Sequence, residues 1–153
     1  AFAAGIGAPV LAIMGNVGSG KSHLLEAIGR HCLRQGQSVK YVVVADLLRR
    51  VRATFDGDKD SILDDCYQAD VLLLDDLGME NPTPWVKEQL TALIDERYRN
   101  ERRLAVATNL TPTELSLSLG ERVASRLFDV ATGTVVHVLM AAGDYRRGKP
   151  CAA

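Results

Sequence analysis

The stretch Gly15-Asn16-Val17-Gly18-Ser19-Gly20-Lys21-Ser22 decides the fold of this chain. It follows a short apolar run from Val10 to Met14, and residues Lys21 to Gln35 then show helical spacing. The pattern G-x-x-x-x-G-K-[ST] between a strand and a helix is typical of a phosphate-binding loop. We therefore predict that Gly15 to His23 bind a nucleoside triphosphate. The alternative is a glycine-rich strand-to-helix turn with an exposed lysine.

Each residue type in this loop suits the chemistry of phosphate. Glycines let the backbone curl so that successive N–H groups face phosphate oxygens, and the helix N-terminus adds positive partial charge. The ammonium group of Lys21 is a flexible point charge that can reach the β- and γ-phosphates. The hydroxyl of Ser22 is a hard oxygen ligand of the kind that Mg²⁺ prefers. The predicted ligands are ATP and Mg²⁺.

Two adjacent carboxylates, Asp75 and Asp76, follow the apolar run Val71 to Leu74. Ligands gather at the carboxyl ends of parallel strands, so this pair is expected beside the phosphate loop. We predict that Asp75 is the magnesium-side carboxylate, and that Asp76 orients or deprotonates the attacking water. By itself the pair would also suit a helix N-cap or a solvated turn. An adjacent acid acting as base favours an ATPase over a metabolite kinase.

The remaining chain alternates strands with helices, which predicts an α/β fold with a parallel five-stranded sheet between helices. After the first strand, the predicted strands are Val39 to Val44, Val71 to Leu74, Leu104 to Thr108 and Thr134 to Leu139. Five further helices are predicted. The first runs from an N-cap at Asp46 to about Thr54, and the second lies near Ser61 to Gln68. The next two begin at Thr83-Pro84 and at Thr111-Pro112, and the last covers Gly120 to Leu127.

Length and composition indicate one globular domain without a global attraction for nucleic acid. The chain has 153 residues, 47% of them hydrophobic, and a formal net charge of −1. Positive charge is instead local, in three groups: Arg49, Arg50 and Arg52; Arg97, Arg99, Arg102 and Arg103; and Arg146, Arg147 and Lys149. The three cysteines form no C-x-x-C pair, and no apolar run is long enough for a membrane span. A reducing, cytoplasmic setting is expected.

Asn109 is a polar residue that directly follows the predicted strand Leu104 to Thr108. There its side chain would hydrogen-bond the attacking water or the γ-phosphate, on the side opposite Lys21. The other interpretation is an Asx turn that leads into Thr111-Pro112.

Arg122 and Arg126 lie four residues apart and therefore share one helix face. One interpretation is a solvated face paired with Glu121 or Asp129. The other is an arginine finger that reaches the ATP of a neighbouring subunit.

In order and content these motifs resemble the AAA+ ATPases, and within them the DnaC/DnaI-type helicase loaders and the IstB-like transposition ATPases. The similarity extends from Gly15 to about Lys149. Its most specific segments are Leu73 to Gly78, Pro84 to Leu90, Ala107 to Thr111, Gly120 to Leu127 and Asp144 to Arg147.

The resemblance implies roles for four residues. Asn109 corresponds to the sensor 1 residue, and Arg122 to the arginine finger, with Arg126 as the alternative. Arg146 is the sensor 2 candidate, with Arg147 beside it. The lid domain of the AAA+ fold would be truncated or absent.

The resemblance further implies that Asp46 to Gln68 is the inserted helical element of replication initiators and loaders. In such proteins single-stranded DNA lies along the inner surface of a spiral assembly. Here Arg49, Arg50 and Arg52 would contact phosphates and Phe55 would stack on a base. The alternative is a solvated arginine face with Phe55 in the core.

The function that these expectations favour is that of the ATPase domain of a replicative helicase loader, which would form a nucleotide-dependent head-to-tail oligomer on single-stranded DNA. The alternatives are an IstB-like ATPase that regulates a transposase on double-stranded DNA, and a small-molecule kinase. The sequence starts at Ala1 without an initiator methionine. We interpret it as a fragment, and a helicase would bind through the missing N-terminal region.

Overall fold

The computed structural model describes residues 9–53, 59–78, 83–128 and 135–140. Its strands form one parallel five-stranded sheet in the order β2-β3-β4-β1-β5. The strands are β1 (Val10–Gly15), β2 (Val39–Val43), β3 (Val71–Leu77), β4 (Arg103–Thr108) and β5 (Val135–Met140). The helices are α1 (Lys21–Arg34), α2 (Val44–Ala53), α3 (Lys59–Gln68), α4 (Pro84–Arg99), α5 (Pro112–Leu119) and α6 (Glu121–Phe128). The predicted α/β fold with a five-stranded parallel sheet is confirmed.

Apolar residues on both faces of the sheet explain why its central strands β1, β3 and β4 are buried. On one face, α1 is the only helix of the described ranges that covers the cluster formed by Leu11, Ile13, Leu25, Cys32, Val71, Leu73, Ala105 and Ala107. On the other face, residues of α2 to α6 pack over side chains that include Leu72, Leu74, Leu104 and Val106. The alternation along each strand therefore separates residues that face α1 from residues that face the other helices.

Helix α1 packs closely on β3 at Gly29. A Cβ atom at Gly29 would lie 2.8 Å from Cδ1 of Leu73, which is fully buried. The helix runs antiparallel to the strands, as a β-α-β crossover requires. Its N-terminus at Lys21 therefore lies at the same edge of the sheet as the carboxyl end of β3.

Two helices begin at the predicted capping residues. The side chain of Thr83 accepts a hydrogen bond from the amide of Val86, and α4 follows with Pro84 in its first turn. Thr111 and Glu114 form a capping box at the start of α5. Both caps satisfy amides that have no partner inside the helix.

The prediction that Asp46 caps α2 is wrong. The helix begins at Val44, directly after β2, and Asp46 lies in its first turn. Its carboxylate instead accepts a hydrogen bond from Arg49 at 2.9 Å. Val44 is buried in the core, so tertiary packing starts the helix two residues before the local capping signal.

Arg97 does not belong to a surface group of arginines, because its side chain is fully buried. Its two Nη atoms donate to the carbonyl oxygens of Cys66, Tyr67, Ala69, Asp70 and Arg103, at 2.8 to 3.3 Å. Two of these carbonyls end α3, where no intrahelical donor is available. Burial, and next to it the charge of Arg102, lower the pKa of Arg97 to about 10, so the guanidinium stays charged at neutral pH.

We expect Arg97→Met to reduce the free energy of unfolding by about 3–5 kcal/mol, because it leaves several buried carbonyl oxygens without a donor. The midpoint of thermal unfolding should fall by roughly 10 °C. Arg99→Met is the matched control, since Arg99 is exposed and its change should stay within about 0.5 kcal/mol. Equal unfolding midpoints for the two variants would contradict this role of Arg97.

Among the helices of the described ranges, none has the length and apolar character needed to cross a membrane.

Candidate functional site

The phosphate loop connects β1 to α1, and Lys21 folds back into it. The Nζ atom of Lys21 donates to the carbonyl oxygens of Gly15 and Asn16, both at 2.8 Å. The side chain is buried, whereas Asn16 and Val17 are exposed. A cationic group is thus held inside the loop, next to the open surface from which a polyphosphate would enter.

Two glycines of the loop have conformations or neighbours that exclude a side chain. Gly20 has φ of +96°, a left-handed conformation that favours glycine. At Gly15, a Cβ atom would lie 2.5 Å from the carbonyl oxygen of Met140 in β5. The loop therefore keeps its shape only with these residues, as the motif predicts.

The first turn of α1 is suited to an anion. Gly20, the N-cap, provides no side-chain hydrogen bond, and the first turn contains no acidic residue. The amides of this turn therefore carry the positive end of the helix dipole without a side-chain acceptor. The hydroxyl of Ser19 is buried and has no hydrogen-bond partner among the described residues, so a phosphate oxygen would satisfy it. These features fit the triphosphate of ATP.

Asp75 lies on the same face and edge of the sheet as the loop. Val71, Leu73 and Asp75 are alternate residues of β3, and the first two face α1. Only 3% of the surface of Asp75 is exposed. Only β4 separates β3 from β1, so the two strands are about 10 Å apart. With the Ser22 hydroxyl at the start of α1, the carboxylate of Asp75 provides the hard oxygen ligands that suit Mg²⁺.

Tyr41, a residue of β2, hydrogen-bonds the predicted magnesium-side carboxylate. Its hydroxyl donates to Oδ2 of Asp75 at 2.5 Å, and Oδ1 of Asp75 accepts from the amide of Asp76 at 3.0 Å. Burial, then the hydrogen bond and charge of Asp75, raise the pKa of Tyr41 well above its usual range. The phenol therefore stays protonated at neutral pH and can donate a hydrogen bond.

Asp76 points away from the core because β3 contains a bulge. Between Leu74 and Leu77 the strand has one residue more than the matching segment of β4. Asp76 adopts a left-handed conformation with φ of +55°, and it is exposed while Asp75 is buried. The predicted strand end at Leu74 is thus too early, since β3 continues to Leu77. The bulge directs the two adjacent acids to different environments.

Asn109 follows β4, where Thr108 holds the strand end in place. The hydroxyl of Thr108 donates to the carbonyl of Leu77 at 2.7 Å and accepts from the amide of Leu110 at 3.1 Å. Asn109 is half-buried at this edge, between the ends of β1 and β3 in the strand order. Its role as a sensor of the γ-phosphate stays a prediction.

Arg122 and Arg126 bind the same carboxylate, that of Asp95 in α4. Nε of Arg122 lies 2.5 Å from Oδ2 of Asp95, and Nε of Arg126 lies 3.4 Å from Oδ1. The guanidinium of Arg126 also stacks over the ring of Tyr98, 4.5 Å from its centroid. The arginines therefore share one helix face, as predicted. Their acceptor among the described residues is Asp95, whereas Asp129, one of the two acids predicted to pair with them, lies outside those residues.

The predicted DNA-binding arginines of α2 differ in their surroundings. Arg49 is exposed and pairs with Asp46, and Arg50 is exposed as well. Arg52 instead donates to the Thr83 hydroxyl at 3.2 Å, and its guanidinium lies 4.9 Å from the centroid of the Trp85 ring. Phe55, Arg146 and Arg147 lie outside the described residues. The predictions for all three remain untested.

Two residues of this region were not found from the sequence, Tyr41 and Asp95. Tyr41 lies in a β-branched run that is typical of a buried strand, where its hydroxyl is a polar group among apolar side chains. Asp95 follows two apolar residues of a predicted helix, but the charged residues Glu96 and Arg97 come directly after it. The residues around each position do not identify its partner.

Known proteins share the sequence pattern and the fold of this chain. The family model of IstB-like ATP binding proteins matches residues 7–150. The replicative helicase loader DnaC of Buchnera aphidicola (subsp. Baizongia pistaciae) is 33% identical over 117 residues, which are 74% of this chain and 48% of that protein. The chain thus spans about half the length of this relative.

Two solved structures share the architecture. The crystal structure of the DnaC helicase loader has a TM-score of 0.72 at 27% identity, over 88% of this chain and 78% of that one. The replication initiator DnaA bound to AMPPCP and single-stranded DNA has a TM-score of 0.71 at 25% identity, over 84% of this chain and 40% of that one. The chain therefore has the fold of the AAA+ P-loop ATPases.

Proposed function

Because this chain belongs to the family of IstB-like ATP-binding proteins, we propose that it is the ATPase domain of a replicative helicase loader. In this proposal it binds ATP with Mg²⁺, hydrolyses the ATP, and binds single-stranded DNA. The similarity to DnaC supports a role in loading a helicase. The helicase itself would bind through a region outside this chain.

One observation carries the proposed ATPase activity, namely the common position of Lys21 and Asp75. Both lie at the carboxyl edge of the sheet, one in the loop before α1 and the other on the face that α1 covers. A triphosphate held by the loop would extend toward the end of β3. A cation and a carboxylate would then flank the same polyphosphate.

The proposed role of each residue in hydrolysis follows from its surroundings. Lys21 would exchange its carbonyl acceptors for β- and γ-phosphate oxygens, since hydrogen bonds to charged groups are the stronger ones. Asp75 and Ser22 would hold Mg²⁺, which neutralises phosphate charge when it is bound. The exposed Asp76 would orient the attacking water and accept its proton, while Asn109 would hydrogen-bond the water or the γ-phosphate.

The proposed DNA contacts rest on α2. Arg49 and Arg50 are exposed on this helix, where arginines can neutralise backbone phosphates. Arg49 would exchange its exposed ion pair with Asp46 for a phosphate. Arg52 would have to leave the Trp85 ring and Thr83 to do so. We therefore assign the phosphate contacts to Arg49 and Arg50 first, with Arg52 and Phe55 as further candidates.

The proposal is tested by light scattering on the full-length protein with a non-hydrolysable ATP analogue and a single-stranded oligonucleotide. We expect a larger assembly in the presence of the analogue, extended by the oligonucleotide, because ATP bound between subunits links them head to tail. The same experiment with Lys21→Ala is the control and should give the small species only. No larger species for the wild-type protein under any condition would contradict the proposal.

Arg122→Ala should reduce turnover in the assembled form by about a thousandfold and leave turnover of the isolated subunit unchanged, as expected of an arginine finger that acts across an interface. The side chain of Arg122 is 64% exposed in its ion pair with Asp95, and Arg126 stays on the other oxygen of Asp95 when Arg122 leaves. ATPase rates measured across a dilution series check this. If Arg126→Ala were deficient and Arg122→Ala normal in the assembly, the assignment to Arg122 would be wrong.

A second candidate is a transposition helper, and the match to the IstB-like family model favours it. Such a protein would act on double-stranded DNA. Replacing the oligonucleotide in the assembly experiment by a duplex of the same length separates the two functions. A loader should assemble on the single strand, and a transposition helper on the duplex.

A further inference from the structure

The hydrogen bond between Tyr41 and Asp75 joins an edge strand to the centre of the proposed site. In the register of the sheet, Tyr41 pairs with Leu73 and Val43 pairs with Asp75. Tyr41 and Asp75 are therefore diagonal neighbours on one face, a separation that a long aromatic side chain can reach. The substitution Tyr41→Phe would fill the same space, but the new side chain could not donate a hydrogen bond to the carboxylate.

The two oxygens of Asp75 are held by different groups. Oδ2 accepts from the Tyr41 hydroxyl, and Oδ1 accepts from the amide of Asp76. Together these bonds fix the plane of the carboxylate. Asp75 is only 3% exposed, so water cannot readily replace a lost donor.

The ring of Tyr41 contributes less to the core than its neighbours on the same face of the sheet. It is 37% exposed, whereas Leu73 beside it is 1% exposed. If Tyr41 served only to fill the core, neighbouring side chains would cover its ring, and its hydroxyl would point to solvent at the edge of the sheet. Here the hydroxyl faces inward, toward the carboxylate that the metal would need.

We propose that Tyr41 is a positioning residue of the ATPase site, which holds Asp75 in the orientation that binds Mg²⁺ with the nucleotide. This inference rests on the proposed function. It adds a residue of β2 to a site otherwise built from β1, α1, β3 and β4. Partners of this kind, which orient a ligand without touching the metal, typically change metal affinity by about 10–100-fold when they are removed.

The test is equilibrium binding of a fluorescent ATP analogue to the full chain, titrated with Mg²⁺ at fixed nucleotide. For Tyr41→Phe we expect the Mg²⁺ concentration at half-saturation to rise about tenfold. Binding of the analogue in EDTA should be unchanged, because the phosphate loop is intact. Tyr67→Phe removes a hydroxyl from α3, far from Asp75 in the fold, and should titrate like the wild type.

A second comparison shows whether Tyr41 acts through Asp75. In an Asp75→Asn background, adding Tyr41→Phe should not raise the half-saturating Mg²⁺ concentration further. A tyrosine with a merely structural role would weaken binding equally with Mg²⁺ and in EDTA, and would do so in both backgrounds.

The outcomes separate this inference from the proposed function. A wild-type protein that responds to Mg²⁺ while Tyr41→Phe gives the same or a lower half-saturating concentration would overturn the role of Tyr41 alone. A wild-type protein that binds no ATP analogue, or binds it without any response to Mg²⁺, would overturn the proposed function and the role of Tyr41 with it.

Discussion

Lys21→Ala is expected to weaken ATP binding by at least about a hundredfold. Each charge-assisted hydrogen bond from the ammonium group to a phosphate oxygen contributes about 1.5–3 kcal/mol, and a loss of about 3 kcal/mol corresponds to a factor of about 100 in the dissociation constant. Isothermal titration with ATP and Mg²⁺ measures the effect directly. The ammonium group already lies inside the loop, where it would exchange the carbonyls of Gly15 and Asn16 for phosphate oxygens.

Lys87→Ala is the matched control, because Lys87 is a lysine of α4 outside the proposed site. It should bind ATP like the wild type. Thermal unfolding without nucleotide must show that Lys21→Ala is folded, since its side chain is buried and ties two loop residues together. A folded Lys21→Ala variant with wild-type affinity would place the nucleotide elsewhere in the protein.

Asp76→Asn is expected to leave ATP affinity within about threefold of the wild type and to slow hydrolysis by about 10²–10⁴-fold, the usual contribution of a general base. The substitution is suited to this position. Asp76 has φ of +55°, and asparagine is among the few residues that tolerate the left-handed region. The bulge and the hydrogen bond from its amide to Asp75 should therefore survive, and only the basic oxygen is lost.

Single-turnover hydrolysis, with binding measured separately, distinguishes the two effects. Asp64→Asn makes the same chemical change at an exposed position of α3 and should hydrolyse ATP at the wild-type rate. If Asp76→Asn retained normal turnover, Asp76 would have no catalytic role, and the exposed acid of the bulge would need another explanation.

The sequence predicted those features of the fold that local chemistry determines. The glycines and Lys21 of the phosphate loop define a motif within eight residues, and the caps at Thr83 and Thr111 each depend on a residue three positions away. The alternation of apolar strands with helices indicated the order of elements, because that pattern has only one common solution in a parallel sheet. Elements of this kind need no knowledge of distant partners.

Features that depend on partners far along the chain could not be predicted in the same way. The buried guanidinium of Arg97 is stabilised by carbonyls about 30 residues earlier. Helical spacing places Arg97 on the face of Leu90 and Leu93, but it does not identify these acceptors. The bulge at Asp76 exists only in the pairing of β3 with β4. Tyr41 likewise meets Asp75 across 34 residues of sequence.

The failed cap at Asp46 has the same origin. An aspartate before an amphipathic run is a sound local signal, but Val44 is buried by contacts with the rest of the core, and the helix begins there. Packing also determines which carboxylate Arg122 and Arg126 bind. Asp95 lies on the neighbouring helix α4, 31 residues before Arg126 in the sequence.

The central claim is that Lys21 and Asp75 serve one Mg²⁺-nucleotide, and a crystal structure with a non-hydrolysable ATP analogue and Mg²⁺ tests it most directly. We predict that Nζ of Lys21 leaves the Gly15 and Asn16 carbonyls and lies about 2.8 Å from a β- or γ-phosphate oxygen. A carboxylate oxygen of Asp75 should lie about 4 Å from the ion, with one water between them. A nucleotide bound away from the loop, with Lys21 still on its two carbonyls, would contradict the account.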